Sequence, residues 1–116
     1  MKPVWIVDDD QSIRWVLEKA LARIPLPTQS FASAGAMLEA LEFSMPSVLV
    51  TDIRMPGKDG LTLLQEIKRR HPDLPVIVMT AFTDLNSTVA AFQKGAFDYL
   101  AKPFDINDAV ALIQRA

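Results

Sequence analysis

The sequence predicts a three-layer, doubly wound α/β fold of (βα)5 type, with a parallel sheet in the strand order 2-1-3-4-5. Two observations predict it. Short β-branched and apolar runs alternate strictly with longer stretches of helical spacing, which is the pattern of βαβ units. The strand runs are also continuously apolar, as expected of central strands covered on both faces. Length agrees with this, since 116 residues suit one hydrophobic core. Composition agrees too, because half the residues are hydrophobic and 22% are charged, a globular balance.

The first strand is Val4-Trp5-Ile6-Val7, ended by Asp8-Asp9-Asp10. From Ser12 to Arg23, the residues Ile13, Val16, Leu17, Ala20 and Leu21 recur at helical spacing, and Pro25 and Pro27 bar continuation. A short edge-like strand covers Thr28–Phe31, and a helix follows from Ala34 to Phe43. Pro46 precedes the third strand, Ser47-Val48-Leu49-Val50-Thr51, which delivers Asp52 at its C-terminal end. The loop Arg54-Met55-Pro56-Gly57-Lys58-Asp59-Gly60 is rich in turn formers. Leu61, Leu64 and Ile67 mark the third helix, which His71-Pro72 ends. The fourth strand, Pro75-Val76-Ile77-Val78-Met79, delivers Thr80-Ala81. A fourth helix covers Leu85 to Gln93, with Gly95 as its stop. Phe97-Asp98-Tyr99-Leu100 is the fifth strand, leading to Lys102-Pro103, and Asp105 or Asn107 caps a last helix through Ala116. Residues 1–116 make one domain, and the final Gln114-Arg115-Ala116, without a cap or polar tail, reads as a cut from a longer chain.

Composition excludes several function classes. Twelve Lys and Arg against 14 Asp and Glu leave a formal charge of −2, with no basic footprint for a nucleic-acid backbone. No apolar run approaches the roughly 18–20 residues that span a bilayer, and Met1-Lys2-Pro3 runs into the first strand without a signal peptide. Zero cysteines exclude disulfides, thiol chemistry and Cys-ligated metals, and fit a reducing, cytoplasmic compartment.

In a doubly wound sheet the ligand crevice lies at the C-terminal strand ends. Asp8-Asp9-Asp10, Asp52, Thr80-Ala81 and Lys102-Pro103 are therefore expected to converge there. Packed carboxylates repel one another and cannot all stay ionised without nearby cations. Lys102 supplies one positive charge and a divalent cation two, which balances Asp8, Asp9 and Asp52. An oxygen-only ligand set suits Mg²⁺, with Mn²⁺ close behind, and not zinc. Each residue also has a plainer reading. Asp10 suits an N-cap for the helix at Ser12, and Thr80 suits a hydroxyl that satisfies a backbone group. His71, in a Pro-bounded turn, reads as an exposed loop residue, and Met37, Met45, Met55 and Met79 as core or crevice lining. One cap does not need Asp9, Asp52 and Lys102 together.

The acidic run after the first strand, Asp52 within Asp-Ile-Arg-Met-Pro-Gly-Lys-Asp-Gly, Thr80-Ala81 and Lys102-Pro103 together resemble the bacterial response-regulator receiver domain, a flavodoxin-like fold. The resemblance covers essentially the whole chain in order and spacing. The strings Ser-Ile-Arg-Trp-Val-Leu-Glu, Asp-Ile-Arg-Met-Pro-Gly and Gly-Ala-Phe-Asp-Tyr-Leu-Ala-Lys-Pro-Phe-Asp are similar to the nitrogen-regulation branch, where the receiver controls an ATPase that activates transcription.

The resemblance implies a role for each matched residue. Asp52 would accept a phosphoryl group from the phosphohistidine of a sensor histidine kinase. Asp9, with Asp8 or Asp10, would hold Mg²⁺ together with Asp52 and the backbone carbonyl of Arg54, and the family pattern favours Asp8 and Asp9. Lys102 would pair with the phosphoryl oxygens and Thr80 would hydrogen-bond one of them. Tyr99 sits at the aromatic position that reports the state of the face made by the fourth helix, fifth strand and fifth helix, around Leu85, Val89 and Phe92. The family's Lys-Pro peptide bond is commonly cis, and Lys102-Pro103 is expected to follow. The output implied is a downstream ATPase and transcription-activating domain of the same protein, with homodimer formation left open, and with no membrane or nucleic-acid contact by this domain.

Two departures stand out. Ile24-Pro25-Leu26-Pro27 replaces the family's usual Gly-containing turn, and Phe82 replaces the His that close relatives carry two positions after the Thr. A bulky apolar ring at Phe82, with Arg54 nearby, is expected to restrict water at Asp52 and slow loss of the phosphoryl group.

Other classes fit less well. A haloacid-dehalogenase-type phosphatase needs a second Asp two residues after the nucleophile, and position 54 is Arg. A flavodoxin-like electron carrier needs a hydroxyl- and glycine-rich phosphate loop where this chain has three carboxylates. A contact-only interaction module without phosphorylation would lack the acceptor, its acidic partner or the Lys, and all are present. The expected role is a phosphoacceptor switch that turns over only its own phosphoryl group, and not a conventional enzyme.

Overall fold

The computed structural model describes residues 2–54, 60–81 and 84–116, without the side chain of Leu85. Five strands alternate with five helices: β1 (Val4–Val7), α1 (Gln11–Ala22), β2 (Thr28–Phe31), α2 (Ala34–Leu41), β3 (Val48–Asp52), α3 (Gly60–Arg70), β4 (Val76–Ala81), α4 (Leu85–Gln93), β5 (Asp98–Lys102) and α5 (Ile106–Arg115). The sheet is parallel throughout, in the expected order β2-β1-β3-β4-β5.

Alternation along the strands divides the core into two. Trp5, Val7, Leu49, Val76 and Val78 face α2 and α3, where Met37, Leu63, Leu64 and Ile67 cover them. Val4, Ile6, Val48, Val50, Ile77 and Met79 face α1 and α5, meeting Leu17, Leu21, Leu112 and Ile113. Both faces of the central strands are apolar because both are covered. Each fully buried large side chain stabilises the fold by about 1.5–3 kcal/mol, so the sheet's position rests on this double cover. Trp5 meets Phe31 edge to face at 5.0 Å, which ties β1 to β2.

Local signals set the element ends. Asp10, Ser33, Asp84 and Asp105 cap α1, α2, α4 and α5, each accepting a backbone N–H with its side chain. Gly95, at φ +100°, ends α4 as expected, in a conformation that disfavours L side chains. At Gly60 the first turn of α3 runs so close to Ile53 that a Cβ would stand 2.4 Å from its Cα. The Gly60 N–H donates to the Ile53 carbonyl at 2.9 Å, so α3 begins in backbone contact with the residue that follows Asp52.

Some boundaries differ from the sequence reading. The second helix stops at Leu41, leaving Phe43 88% exposed, because Phe43 and Ser44 bond back to the Ala40 carbonyl in a turn. The fifth strand is Asp98–Lys102 and not 97–100: its ladder continues through Thr80↔Ala101 and Ala81↔Lys102, so the lysine sits at the strand's last position and not beyond it. His71 is half-buried and not exposed, because it lines a cleft with Lys2, Pro46 and Arg70. Of the loop 54–60, residues 55–59, including Met55, lie outside the described residues, as does Phe82.

Candidate functional site

Four neighbouring strands bring their C-terminal ends together, and the charged groups arrive with them. Asp8, the first residue beyond β1, is fully buried. Both its carboxylate oxygens are engaged: Oδ1 accepts the Asp10 backbone N–H at 2.9 Å and Oδ2 accepts from Lys102 Nζ at 2.8 Å. The Arg14 guanidinium, on the first turn of α1, donates to the Asp8 backbone carbonyl and holds the β1–α1 connection from its other side. Asp52 ends β3 beside Met79 of β4, and Lys102 Nζ stands 3.5 Å from its Oδ2. One ammonium is therefore shared by two carboxylates, closer to Asp8. Asp9 is exposed, and one oxygen from each of Asp8, Asp9 and Asp52 lies within 4.8 Å of the others. The peptide bond after Lys102 is cis, as expected.

The electrostatics follow from this sharing. Burial, and then the charge of Asp8, push the Asp52 carboxyl above its ordinary value of 3.8, against the opposing pull of Lys102 and the Arg54 backbone N–H. Burial also works against the Lys102 ammonium, but the hydrogen bond and charge of Asp8 and then the charge of Asp52 outweigh it, leaving its pKa raised. Lys102 is thus a cation at every working pH. Three carboxylates beside one ammonium leave two negative charges without a counter-charge. An all-oxygen donor set with that deficit matches a hard divalent cation of the Mg²⁺ kind.

Around this centre the other singled-out residues divide. Thr80, at 1% exposure, lies in β4 one position beyond Met79, and its hydroxyl meets that of Thr88 on α4 at 3.3 Å. Tyr99 is 42% exposed on β5 and packs edge to face on Phe92 of α4 at 5.8 Å, so α4 and β5 share an aromatic contact at the surface. The Asp10 carboxylate accepts the Ser12 N–H at 2.9 Å as helix cap and lies outside the trio. The Arg54 side chain, 74% exposed, reaches over to Asp84 at 2.8 Å. Held by that guanidinium and by Ser87, the Asp84 carboxyl is lowered to about 2.

Sequence reasoning missed three of these contributors. Asp84 carried a readable signal, a capping residue directly before Leu85 with Ser87 three positions on. Thr88 and Arg14 carried none, since a polar residue at helical spacing looks like any solvated position.

The family model for the response regulator receiver domain matches residues 4–114. The chain belongs to the response-regulator receiver family. This receiver domain is 62% identical over 113 residues to the DNA-binding transcriptional regulator NtrC of Escherichia coli (strain K12), covering 97% of this chain and 24% of that protein. It is 39% identical to the C4-dicarboxylate transport transcriptional regulatory protein DctD of Rhizobium meliloti (strain 1021), covering 97% of this chain and 25% of that one. The chain thus spans about a quarter of the length of the curated relatives it matches. Among solved structures, the apo receiver domain of nitrogen regulatory protein C matches with a TM-score of 0.89 at 60% identity, over 98% of this chain and 92% of that one. Its BeF3-activated form matches with a TM-score of 0.84 at 59% identity, over 100% and 95%. The receiver domain is a signalling switch, and its pocket of Asp8, Asp9 and Asp52 is the acidic pocket in which such domains bind Mg²⁺. None of its described helices is long and apolar enough to cross a membrane.

Proposed function

We propose that this receiver domain takes a phosphoryl group from the phosphohistidine of a sensor histidine kinase onto Asp52, and that the modification switches the face formed by α4, β5 and α5. The observation that carries this reading is Lys102 Nζ set between Asp8 at 2.8 Å and Asp52 at 3.5 Å, inside a pocket of three carboxylates. A carboxylate is a weak nucleophile, but phosphoryl transfer needs mainly positioning and neutralisation of the equatorial oxygens. A carboxylate oxygen of Asp52 forms the bond to phosphorus as the bond to the histidine nitrogen breaks, and that nitrogen keeps the electron pair. Mg²⁺, or Mn²⁺, held by Asp8, Asp9, Asp52 and the Arg54 backbone carbonyl, supplies charge neutralisation at the phosphoryl oxygens. Lys102 pairs with one phosphoryl oxygen and the Thr80 hydroxyl donates to another. Thr80's movement opens space beside β5 that Tyr99 fills, repacking it against Phe92 and Val89 as a population shift of a two-state element. Asp10 serves the helix and not the metal in this reading.

The wider reading rests on the relatives. With the chain spanning about a quarter of such regulators, residues 1–116 act as the N-terminal receiver of a longer cytoplasmic protein. Its partners are the kinase, a downstream ATPase and transcription-activating domain, and in one state a second copy of the chain. Nucleic acid is bound by another part of that protein. Phe82 and Arg54 limit water at the acceptor and lengthen the life of the phosphoryl group.

Intact mass tests the core of this proposal. Incubation with acetyl phosphate should add one phosphoryl group, about 80 Da, only with Mg²⁺ and not in Asp52→Asn. No gain, with Mg²⁺ binding verified separately, points to the contact-only module instead.

A further inference from the structure

We infer that Thr88 of α4 is a positioning residue that holds the Thr80 hydroxyl in its resting orientation, so that phosphorylation must break a threonine–threonine contact before Thr80 can reach the acceptor. The inference rests on the reading of Thr80 as the hydroxyl that binds the phosphoryl group. It gives Thr88 a role that the proposed function does not assign.

The geometry is specific. Thr88 is buried at 8% exposure and Thr80 at 1%, so water has little access to either hydroxyl. Thr88 Oγ1 has two acceptors in reach: the Asp84 backbone carbonyl at 3.1 Å and Thr80 Oγ1 at 3.3 Å. A threonine carries one hydroxyl hydrogen. When Thr88 gives its hydrogen to the carbonyl four residues back, as hydroxyls inside helices commonly do, Thr80 must supply the hydrogen between the two side chains. Phosphoryl oxygens only accept, so Thr80 cannot serve both Thr88 and the phosphoryl group. When Thr88 supplies the hydrogen, the conflict is steric in origin. A β-branched side chain occupies discrete χ1 wells, and the inference requires that the well aiming the Thr80 hydroxyl at Asp52 differ from the one that meets Thr88. In either arrangement the bond exists in the resting state and is forfeited in the switched one. Asp84 joins the device, because the carbonyl that orients Thr88 belongs to the residue whose side chain caps α4.

A two-state element is biased by whatever differs between its states. One net hydrogen bond moves such an equilibrium by about 2- to 12-fold. Thr88 therefore keeps the unmodified domain quiet by about that factor.

The test follows backbone amide NMR shifts of α4 and β5 in the 116-residue chain, with Mg²⁺ and beryllofluoride defining the switched end point. Thr88→Val, which keeps the shape and loses the hydroxyl, should raise the switched fraction of the unmodified domain by about 2- to 12-fold. Thr88→Ser should restore the resting fraction. In a Thr80→Val background, Thr88→Val should add nothing, since the bond is already gone. Should Thr88→Val unfold the helix, Thr88→Ala, a better helix former, replaces it. The inference is overturned if the switched fraction is unchanged in the hydroxyl-free variants, if Thr88→Ser behaves like them, or if their effect persists in full without the Thr80 hydroxyl. Thr80→Val that still reaches the complete switched end point overturns the reading of Thr80 itself, and with it the inference. Thr80→Val that falls short, beside a silent Thr88→Val, overturns the inference alone.

Discussion

Arg54 and Asp84 are joined by an ion pair of 2.8 Å, linking the residue two beyond the acceptor to the residue that caps α4. The guanidinium also approaches the Ser87 hydroxyl at 3.5 Å, so it touches two positions of the helix start. Thr80–Thr88 is a second tie to α4, made from β4 beside the acceptor strand, running beneath the surface where this one runs across it.

The first tie has a pH signature. Asp84 titrates near 2, below its ordinary 3.8, chiefly because it accepts from Arg54. A depressed carboxyl contributes stability that is present above about pH 4 and is lost as pH falls toward 2. Arg54→Ala should move the Asp84 carboxyl up toward 3.8, read directly by carbon NMR titration. An Asp84 that stays near 2 in the variant would assign the effect to Ser87 and the helix start alone.

Asp52 carries the opposite sign. Its carboxyl is raised by burial and by Asp8, so the ionised form weakens the fold: the penalty is full above the raised value, shrinks as pH falls through it and is gone below the ordinary 3.8. In the absence of metal, Asp52→Asn should therefore raise the thermal midpoint at pH 7, by about 4 °C for relief of order 1 kcal/mol in a domain of this size. The gain should vanish in acid. Mg²⁺ should stabilise the parent chain more than the variant, because the variant has one carboxylate fewer to offer. Equal Mg²⁺ shifts in the two would remove Asp52 from the metal site.

Lys102 should prove structural as well as functional. Asp8 is fully buried and Lys102 Nζ, 2.8 Å away, is its counter-charge. Removing one member of a buried pair leaves the other uncompensated. Because the lysine side chain keeps 25% of its exposure, solvent softens that cost, and Lys102→Met should lose about 1–3 kcal/mol. Asp8→Asn in the same chain should recover most of the loss, and urea unfolding of the parent and the three variants checks it. A double variant no more stable than Lys102→Met would mean that the pair is not the source.

These residues also explain what was legible in the sequence. The central strands β1, β3 and β4 read cleanly because both their faces are buried and largely apolar, and Asp8, Asp52, Thr80 and Lys102 were placed by a topological rule that needs only strand order. Lys102 was expected past its strand because Asp98-Tyr99-Leu100-Ala101-Lys102 lies at the sheet edge, where polar residues interrupt the apolar run and hide the last ladder pairs. The Arg54–Asp84 and Thr80–Thr88 contacts join residues 30 and 8 positions apart. No local periodicity reports such pairs, which exist only once β3, β4 and α4 have been brought together.

The two glycines that open α3 and lie in α2 should respond in opposite directions. Gly60 has no room: a Cβ would meet backbone of Ile53, at 2.4 Å from Cα and 2.6 Å from the carbonyl oxygen, and neither atom can swing away as a side-chain tip would. Gly60→Ala must push the start of α3 away from Ile53, directly after the acceptor, so it should lower stability by about 2 kcal/mol or more, as overpacking does. It should also slow Mg²⁺-dependent phosphorylation of Asp52. Gly35 lies in the first turn of α2 with nothing within 4 Å of a Cβ. Gly35→Ala therefore gains helix propensity without a clash and should stabilise by about 0.5–1 kcal/mol with phosphorylation unaffected. Thermal unfolding and intact-mass phosphorylation rates on both variants separate the two cases. A Gly60→Ala protein as stable and as readily phosphorylated as the parent would show that the approach of α3 to Ile53 does not govern the acceptor loop.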